Sequence, residues 1–274
     1  EEVMSQLSIN RVAEVLRGFN RVAVAVSGGV DSLTLATIAG RSHQSACMFH
    51  AVSPAVPPEA TVRVRDFALR EGWRLEVINA AEFESDEYVS NPTNRCFYCK
   101  QSLYSAIDEI AGVTLDQIVS GTNSDDLHEY RPGLDAARQR GVRHPFAELG
   151  FTKEDVRRMA RSLGLADTAE MPSSPCLSSR VETGIRITPS LLRLVDAAEK
   201  EVRAAIDANA IRCRIRSTGV VIEVDDQTLS ELTGEQKETL TQAVKVVFNK
   251  GLVHPEISLA AYRVGSAFLV KQID

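Results

Sequence analysis

Residues 27–32 read Ser27-Gly28-Gly29-Val30-Asp31-Ser32, directly behind the apolar run 21–26 and ahead of a helical pattern over 31–39. A strand that runs into two adjacent glycines and then a helix makes a cradle for an anion. Glycine lets the backbone turn tightly and approach a ligand, main-chain N–H groups line the turn, and the helix N-terminus adds partial positive charge. The hydroxyls of Ser27 and Ser32 add donors for a phosphate oxygen. Asp31 would repel that anion unless Mg²⁺ bridges carboxylate and phosphates, which is the role its position predicts. The stretch has neither the Gly-Lys-Ser/Thr ending of a P-loop nor the GxGxxG spacing of a dinucleotide fold.

On either side of this loop, apolar runs alternate with helical patterns. Strands are predicted over 46–52, 74–78 and 117–120, and helices over 59–70, 100–110 and 153–163, the last with Thr152 as N-cap and Gly164 at its end. Such alternation predicts an α/β domain, a parallel sheet with helices on both faces. Beyond the segment 171–180, MPSSPCLSSR, the pattern changes to helices over 189–207 and 234–248, the latter capped by Thr233, and to strands over 211–217, 220–225, 257–262 and 267–271. This predicts a smaller α+β domain. The expected division is 1–180 and 181–274, with the joint inside 172–188.

The composition agrees with a soluble globular chain. Of 274 residues, 44% are hydrophobic and 25% charged, and 31 Lys+Arg against 37 Asp+Glu give a net charge of −6. That length suits about two domains. The acidic balance speaks against nucleic acid as a partner. No apolar run reaches the roughly 18 residues of a membrane span, and EEVMSQLSIN is too polar for a signal peptide, so a cytoplasmic protein is expected. Five cysteines, an odd number in such a chain, favour thiol or metal chemistry over a disulfide framework.

A second segment, Ser120-Gly121-Thr122-Asn123-Ser124-Asp125-Asp126, ends another apolar run and so falls at the ligand-binding edge of the sheet. Gly121 permits close approach, Thr122 and Asn123 supply polar contacts, and Asp125 or Asp126 is placed to hold Mg²⁺. In Asn94-Arg95-Cys96-Phe97-Tyr98-Cys99-Lys100, a spacing of three puts both thiols on one face at a helix start, where the dipole, Arg95 and Lys100 favour thiolate. A zinc ribbon would need a second CxxC, which is absent, and a thioredoxin-like redox pair would need a different order of elements. Pro172 and Pro175 hold Cys176 in an extended loop, with Arg180 near enough in sequence to stabilise a thiolate or an anionic substrate. Cys47, inside an apolar strand, and Cys213, which alternates with Arg212 and Arg214, read as packing residues.

Taken in order, SGGVDS, NPTNRCFYCK, GTNSDD, SSPCLSSR, CRIR and YRVGS resemble the LarE family of ATP-dependent sulfur transferases. That family lies within the PP-loop ATP pyrophosphatases and makes the nickel-pincer nucleotide cofactor. The resemblance runs from about Val12 to Val270. It implies that Ser27, Gly28, Gly29, Asp31 and Ser32, with Gly121, Thr122, Asn123 and Asp125, hold ATP and Mg²⁺. It implies adenylation of a carboxylate of pyridinium-3,5-dicarboxylate mononucleotide and its conversion to a thiocarboxylate. Cys96, Cys99 and Cys176 match the set that holds a [4Fe-4S] cluster in part of the family, with one iron left open for sulfide. In the sacrificial form of the family, the cysteine matching Cys176 gives up its own sulfur. Asp31, Cys176 and Arg180 are thus the expected catalytic residues, and Arg180, Arg212, Arg214 and Arg263 the expected substrate-anion contacts. The resemblance also implies a homo-oligomer, a hexamer in the family, a small nucleotide substrate, and other cofactor-biosynthesis proteins as partners. A tRNA-thiolating enzyme and a non-catalytic nucleotide-binding module are the alternative functions.

Overall fold

The computed structural model describes residues 2–112, 117–128, 131–249 and 255–268. The chain forms two compact units, Glu1–Glu82 with Asn94–Ser174, and Phe83–Thr93 with Pro175–Asp274.

The first unit is built on β1 (Val22–Ala25), β2 (Ala46–Ala51), β3 (Leu75–Ile78) and β4 (Gln117–Ser120) in the order β3-β2-β1-β4, all parallel. Alternation along β1 feeds two separate cores. Val22, Val24 and Val26 pack with Ile9, Val12, Leu16, Leu33, Val64 and Val156, whereas Ala23 and Ala25 pack with Tyr104, Ile107, Ile118 and Ala137. The helices Glu2–Arg17, Val30–Ser42, Pro58–Glu71 and Lys153–Ser162 therefore supply one face of the sheet, and Arg95–Ala111 and Pro132–Gln139 the other. Both faces are buried, as a parallel sheet requires. Thr152 forms a capping box with Asp155 at the head of Lys153–Ser162, the expected helix start. The helix Arg95–Ala111 begins five residues ahead of its predicted start, so both cysteines of the CxxC lie inside it. Helices Glu2–Arg17, Pro132–Gln139 and Pro145–Glu148 have no counterpart in the sequence-based assignment.

The second unit carries β5 (Ile211–Arg216), β6 (Gly219–Val224) and β7 (Ile257–Ala261). β5 and β6 form an antiparallel hairpin, and β7 runs parallel to β6. Helices Pro189–Ala205 and Gly234–Asn249 present Leu192, Val195, Val202, Leu240, Val244 and Phe248 as buried side chains. Thr233 accepts from the Gln236 N–H at 3.2 Å, as an N-cap should. Of the strand expected over 267–271, residues 269–271 lie outside the described residues, and Ala267 and Phe268 are not in a strand. No described helix is long and apolar enough to cross a membrane.

Candidate active site

The carboxyl ends of β1 and β4 are adjacent in the sheet, with Ala25 and Ser120 as register partners, so the two glycine-bearing segments leave the sheet side by side. Gly28 adopts φ +87°, and a Cβ there would stand 3.1 Å from the Ala60 carbonyl oxygen and 3.3 Å from Val64 Cγ2. Gly29 is the N-cap of Val30–Ser42 and makes no side-chain cap. The first bond into this helix is Leu33 N–H to Gly29 O at 3.0 Å, so the N–H groups of residues 30–32 precede the intrahelical ladder. Ser32 Oγ ties the turn together: it accepts from Ser27 N–H at 3.1 Å, lies 3.1 Å from Ser27 Oγ, and donates to Gly29 O at 3.0 Å. Backbone donors at a helix N-terminus, approachable because glycine carries no side chain, form an anion cradle.

Gly121 abuts the head of the same helix. A Cβ at Gly121 would lie 2.7 Å from the Asp31 carbonyl carbon and 2.8 Å from Ser32 N, contacts no real side chain makes. That closeness brings Asn123 Nδ2 to 3.4 Å from Asp31 Oδ1. Lys153 Nζ reaches Asp31 Oδ2 at 2.5 Å from the head of its own helix. Asp125 accepts the Lys153 main-chain N–H at 2.9 Å, and Asp126 accepts Asn123 N–H at 3.2 Å and pairs with Arg131 at 2.9 Å. Burial raises the Asp126 pKa, Arg131 opposes this, and the nearby Asp31 charge adds to it. Thr122 Oγ1 lies 3.2 Å from Ser120 Oγ, which is 2.8 Å from His144 Nδ1. Burial lowers the His144 pKa, against the pull of Glu148.

All the predicted loop residues thus converge at one sheet edge. In the sequence Lys153 reads only as a helix start, although it carries the cation that faces Asp31. No local signal marks it, because the pair spans 122 positions of sequence.

Cys96 and Cys99 lie half-buried in the first turns of Arg95–Ala111, behind the buried Arg95. All five cysteines are thiols. Among the described residues no three His, Cys, Asp or Glu side chains converge to hold a metal ion. Cys96 and Cys99 belong to the first unit and Cys176 to the second. Nothing among the described residues supports the [4Fe-4S] cluster expected on these three thiols.

In the second unit, half-buried Cys176 is the N-cap of the 3₁₀ turn Leu177–Arg180, and its carbonyl accepts from Ser179 Oγ at 2.7 Å and Ser179 N–H at 3.0 Å. Tyr88 Oη and Ser178 Oγ, both buried, are 2.7 Å apart. Asn91 Nδ2 donates to the carbonyls of Glu182 and Ile185 at 2.8 and 3.0 Å, pinning the chain just beyond Arg180. Arg180 is buried in a two-bond pair with Glu199, at 2.8 and 3.1 Å, and also donates to Pro175 O at 2.7 Å and Cys176 O at 3.1 Å. Arg214 is likewise buried, pairing with Glu223 at 2.9 Å and donating to Ser179 O at 3.0 Å. Arg212 and Arg214 lie on the same strand face, as their spacing predicts, with guanidinium carbons 5.5 and 5.9 Å from the Tyr262 ring centre. Burial, with Arg180 and Arg214 nearby, lowers the pKa of half-buried Arg212, and Glu199 opposes this. Arg263 sits in solvent, paired with Asp226 at 2.9 Å. Glu199, Glu223 and Tyr88 carry no distinguishing mark in the sequence, and Asn91 shows there only as the first residue of NPTNRCFYCK.

No protein-family model matches the chain. It is 32% identical over 264 residues to an uncharacterized protein of Synechocystis sp., covering 96% of this chain and 97% of that one. It is 29% identical over 222 residues, 79% of each chain, to the pyridinium-3,5-bisthiocarboxylic acid mononucleotide synthase of Lactiplantibacillus plantarum. Over 214 residues, 69% of this chain and 66% of the relative, it is 30% identical to one component of the glutamine-hydrolyzing GMP synthase of Methanopyrus kandleri.

Proposed function

The chain belongs to the family of the Synechocystis protein, within the PP-loop ATP pyrophosphatase superfamily, and from that premise we propose that it activates a carboxylate with ATP and replaces one of its oxygens with sulfur. The observation that carries this is Asp31, whose carboxylate stands between Lys153 and Asn123 at the head of a glycine-lined cradle. The backbone of residues 27–32 and the segment Gly121-Thr122-Asn123 bind the phosphates of ATP. Asp31 is the residue to hold Mg²⁺, with Asp125, which accepts the Lys153 main-chain N–H, as the second candidate, and the ion when bound would offset phosphate charge. Lys153 balances the Asp31 carboxylate in its absence.

A substrate carboxylate oxygen attacks the α-phosphorus, pyrophosphate leaves, and a sulfur nucleophile then attacks the acyl carbon and expels AMP. The similarity to the bisthiocarboxylic acid mononucleotide synthase supports pyridinium-3,5-dicarboxylate mononucleotide as the acceptor. We assign Cys176 as the transfer thiol: its sulfur forms a thioester as AMP leaves, and elimination, with the Cα proton passing to a base, then breaks the Cβ–Sγ bond to give the thiocarboxylate and dehydroalanine at position 176. Arg212 is assigned as the contact for the substrate phosphate. The similarity to a GMP synthase favours a second reading, in which nitrogen attacks the adenylate.

The test is AMP and pyrophosphate release from ATP with this mononucleotide and a sulfide source, followed by mass analysis of product and protein. A thiocarboxylate product, lost in Asp31→Asn, is expected. A carboxamide product with ammonia selects the amidating reading, and no pyrophosphate with any carboxylate overturns both. Iron and sulfide assays decide the route of sulfur, as does a mass loss of about 34 Da at Cys176, the H₂S lost when thiol sulfur is surrendered.

A further inference from the structure

We propose that Arg63 is a positioning residue for the phosphate loop: its guanidinium holds the Gly28–Gly29 peptide in the orientation that turns the Gly29 N–H into the cradle. Arg63 Nη1 donates to Gly28 O at 2.8 Å from the helix Pro58–Glu71. In a planar trans peptide the carbonyl and the following N–H point in opposite directions, so fixing Gly28 O toward this helix turns the Gly29 N–H the other way. The Gly29 nitrogen indeed lies on the inner side of the turn, 3.5 Å from Ser27 Oγ. That distance is too long to occupy the donor fully, which leaves it available to an anion.

A lock is needed here because the peptide joins two glycines. With no Cβ on either side, rotation of the whole peptide plane meets little steric resistance. The flipped form would aim the Gly28 carbonyl at the phosphate and remove a donor. Phosphate affinity would then fall in proportion to the fraction of molecules in the competent orientation. The same helix braces the loop at two further points. The Ala60 carbonyl oxygen and Val64 Cγ2 would stand 3.1 and 3.3 Å from a Cβ at Gly28, a tight fit at a residue whose φ of +87° already favours glycine. His50, buried, donates from Nδ1 to Val26 O at 2.8 Å, which makes Nε2 of the neutral ring the acceptor for Thr61 Oγ1 at 2.9 Å. Steric fit and His50 fix the path of the chain; on the peptide itself Arg63 holds the carbonyl at 2.8 Å, and the N–H has only the long 3.5 Å contact to Ser27 Oγ among the described residues.

The inference rests on the proposed nucleotide site, and the experiment separates the two. Full-length protein labelled with ¹⁵N-glycine is titrated with MgATP and with inorganic pyrophosphate, as wild type, Arg63→Met and Arg63→Lys, and Arg63→Ala is titrated with and without added guanidinium ion. The expected result is about ten-fold weaker binding of both probes in Arg63→Met. A Gly29 amide signal that splits or broadens in this ligand-free variant should accompany it, with affinity largely retained in Arg63→Lys and partly restored to Arg63→Ala by guanidinium. Weakened binding with an unchanged Gly29 signal would overturn the lock and make Arg63 a direct phosphate contact. Unchanged affinity with an unchanged signal would overturn it outright. If wild type binds neither probe, the nucleotide reading falls, and a split Gly29 signal in Arg63→Met would still establish the peptide lock.

Discussion

The phosphate loop of the first unit and the arginine cluster of the second bring positive potential to bear by opposite means. In the loop the charge is partial and belongs to the backbone, to N–H groups exposed by glycine and by a helix start, so it needs no counterion. The cluster holds full charges, yet Arg180 and Arg214 are each about 4% exposed and already matched by Glu199 and Glu223. A buried guanidinium must be paired, so an arginine that looks like an anion contact in sequence serves first to hold its own unit together. Of the three arginines, Arg212 keeps the most solvent access.

The sharpest way to break this comparison is to fill the backbone cradle. Gly121→Ala sets a methyl against the main chain of Asp31 and Ser32, which cannot yield as a flexible side chain would. Pyrophosphate release should fall by at least about a hundred-fold while the melting transition survives, since misplacing a site by an ångström costs that much. Normal turnover would mean that Gly121 does not set the loop.

Arg214→Ala should act on stability: buried Glu223 loses one of its two guanidinium partners, while Arg216 at 3.1 Å and Ser266 Oγ at 2.7 Å stay on its other oxygen, a cost of about 1–3 kcal/mol in urea denaturation. Arg214→Met paired with Glu223→Gln should recover part of that loss, since Arg216 gives up the Glu223 charge in exchange for an amide oxygen. A single variant as stable as wild type would show that the pair is not structural.

The contrast also has a pH dimension. Burial lowers the pKa of His50 and of His144 below the ordinary 6.5. Between the folded and unfolded values the unfolded chain binds more protons, so stability is fully present above pH 6.5 and is lost as pH falls below it. The urea midpoint should drop by roughly 1 kcal/mol equivalent per unit of pKa displacement. His144→Asn, which keeps a hydrogen-bonding group beside Ser120 without titrating there, should flatten part of that slope. The smallest effect is expected at Arg263, whose pair with Asp226 lies in solvent: Arg263→Ala should leave the melting temperature within error. A loss of mononucleotide affinity in this variant would instead mark Arg263 as a substrate contact.

The sheet, most of its flanking helices and the two glycine segments were legible in the sequence because their signals are local. Period-two and helical patterns, Gly-Gly after a strand, and Thr152 ahead of a helix act within a few residues of themselves. The Glu2–Arg17 helix escaped because its buried face, Ile9, Val12, Ala13 and Leu16, occupies only its second half behind a polar start. The short helices Pro132–Gln139 and Pro145–Glu148 are too brief to show a period. From its sequence alone the chain declares a strand–glycine–helix cradle and a set of thiols, because the φ freedom of glycine and the chemistry of cysteine belong to the residues themselves. Only tertiary structure decided that Lys153 faces Asp31, that Arg63 grips the Gly28 carbonyl, and that Arg180 and Arg214 are matched by Glu199 and Glu223. Such pairings depend on which groups burial brings together, and the two partners can lie anywhere in the chain.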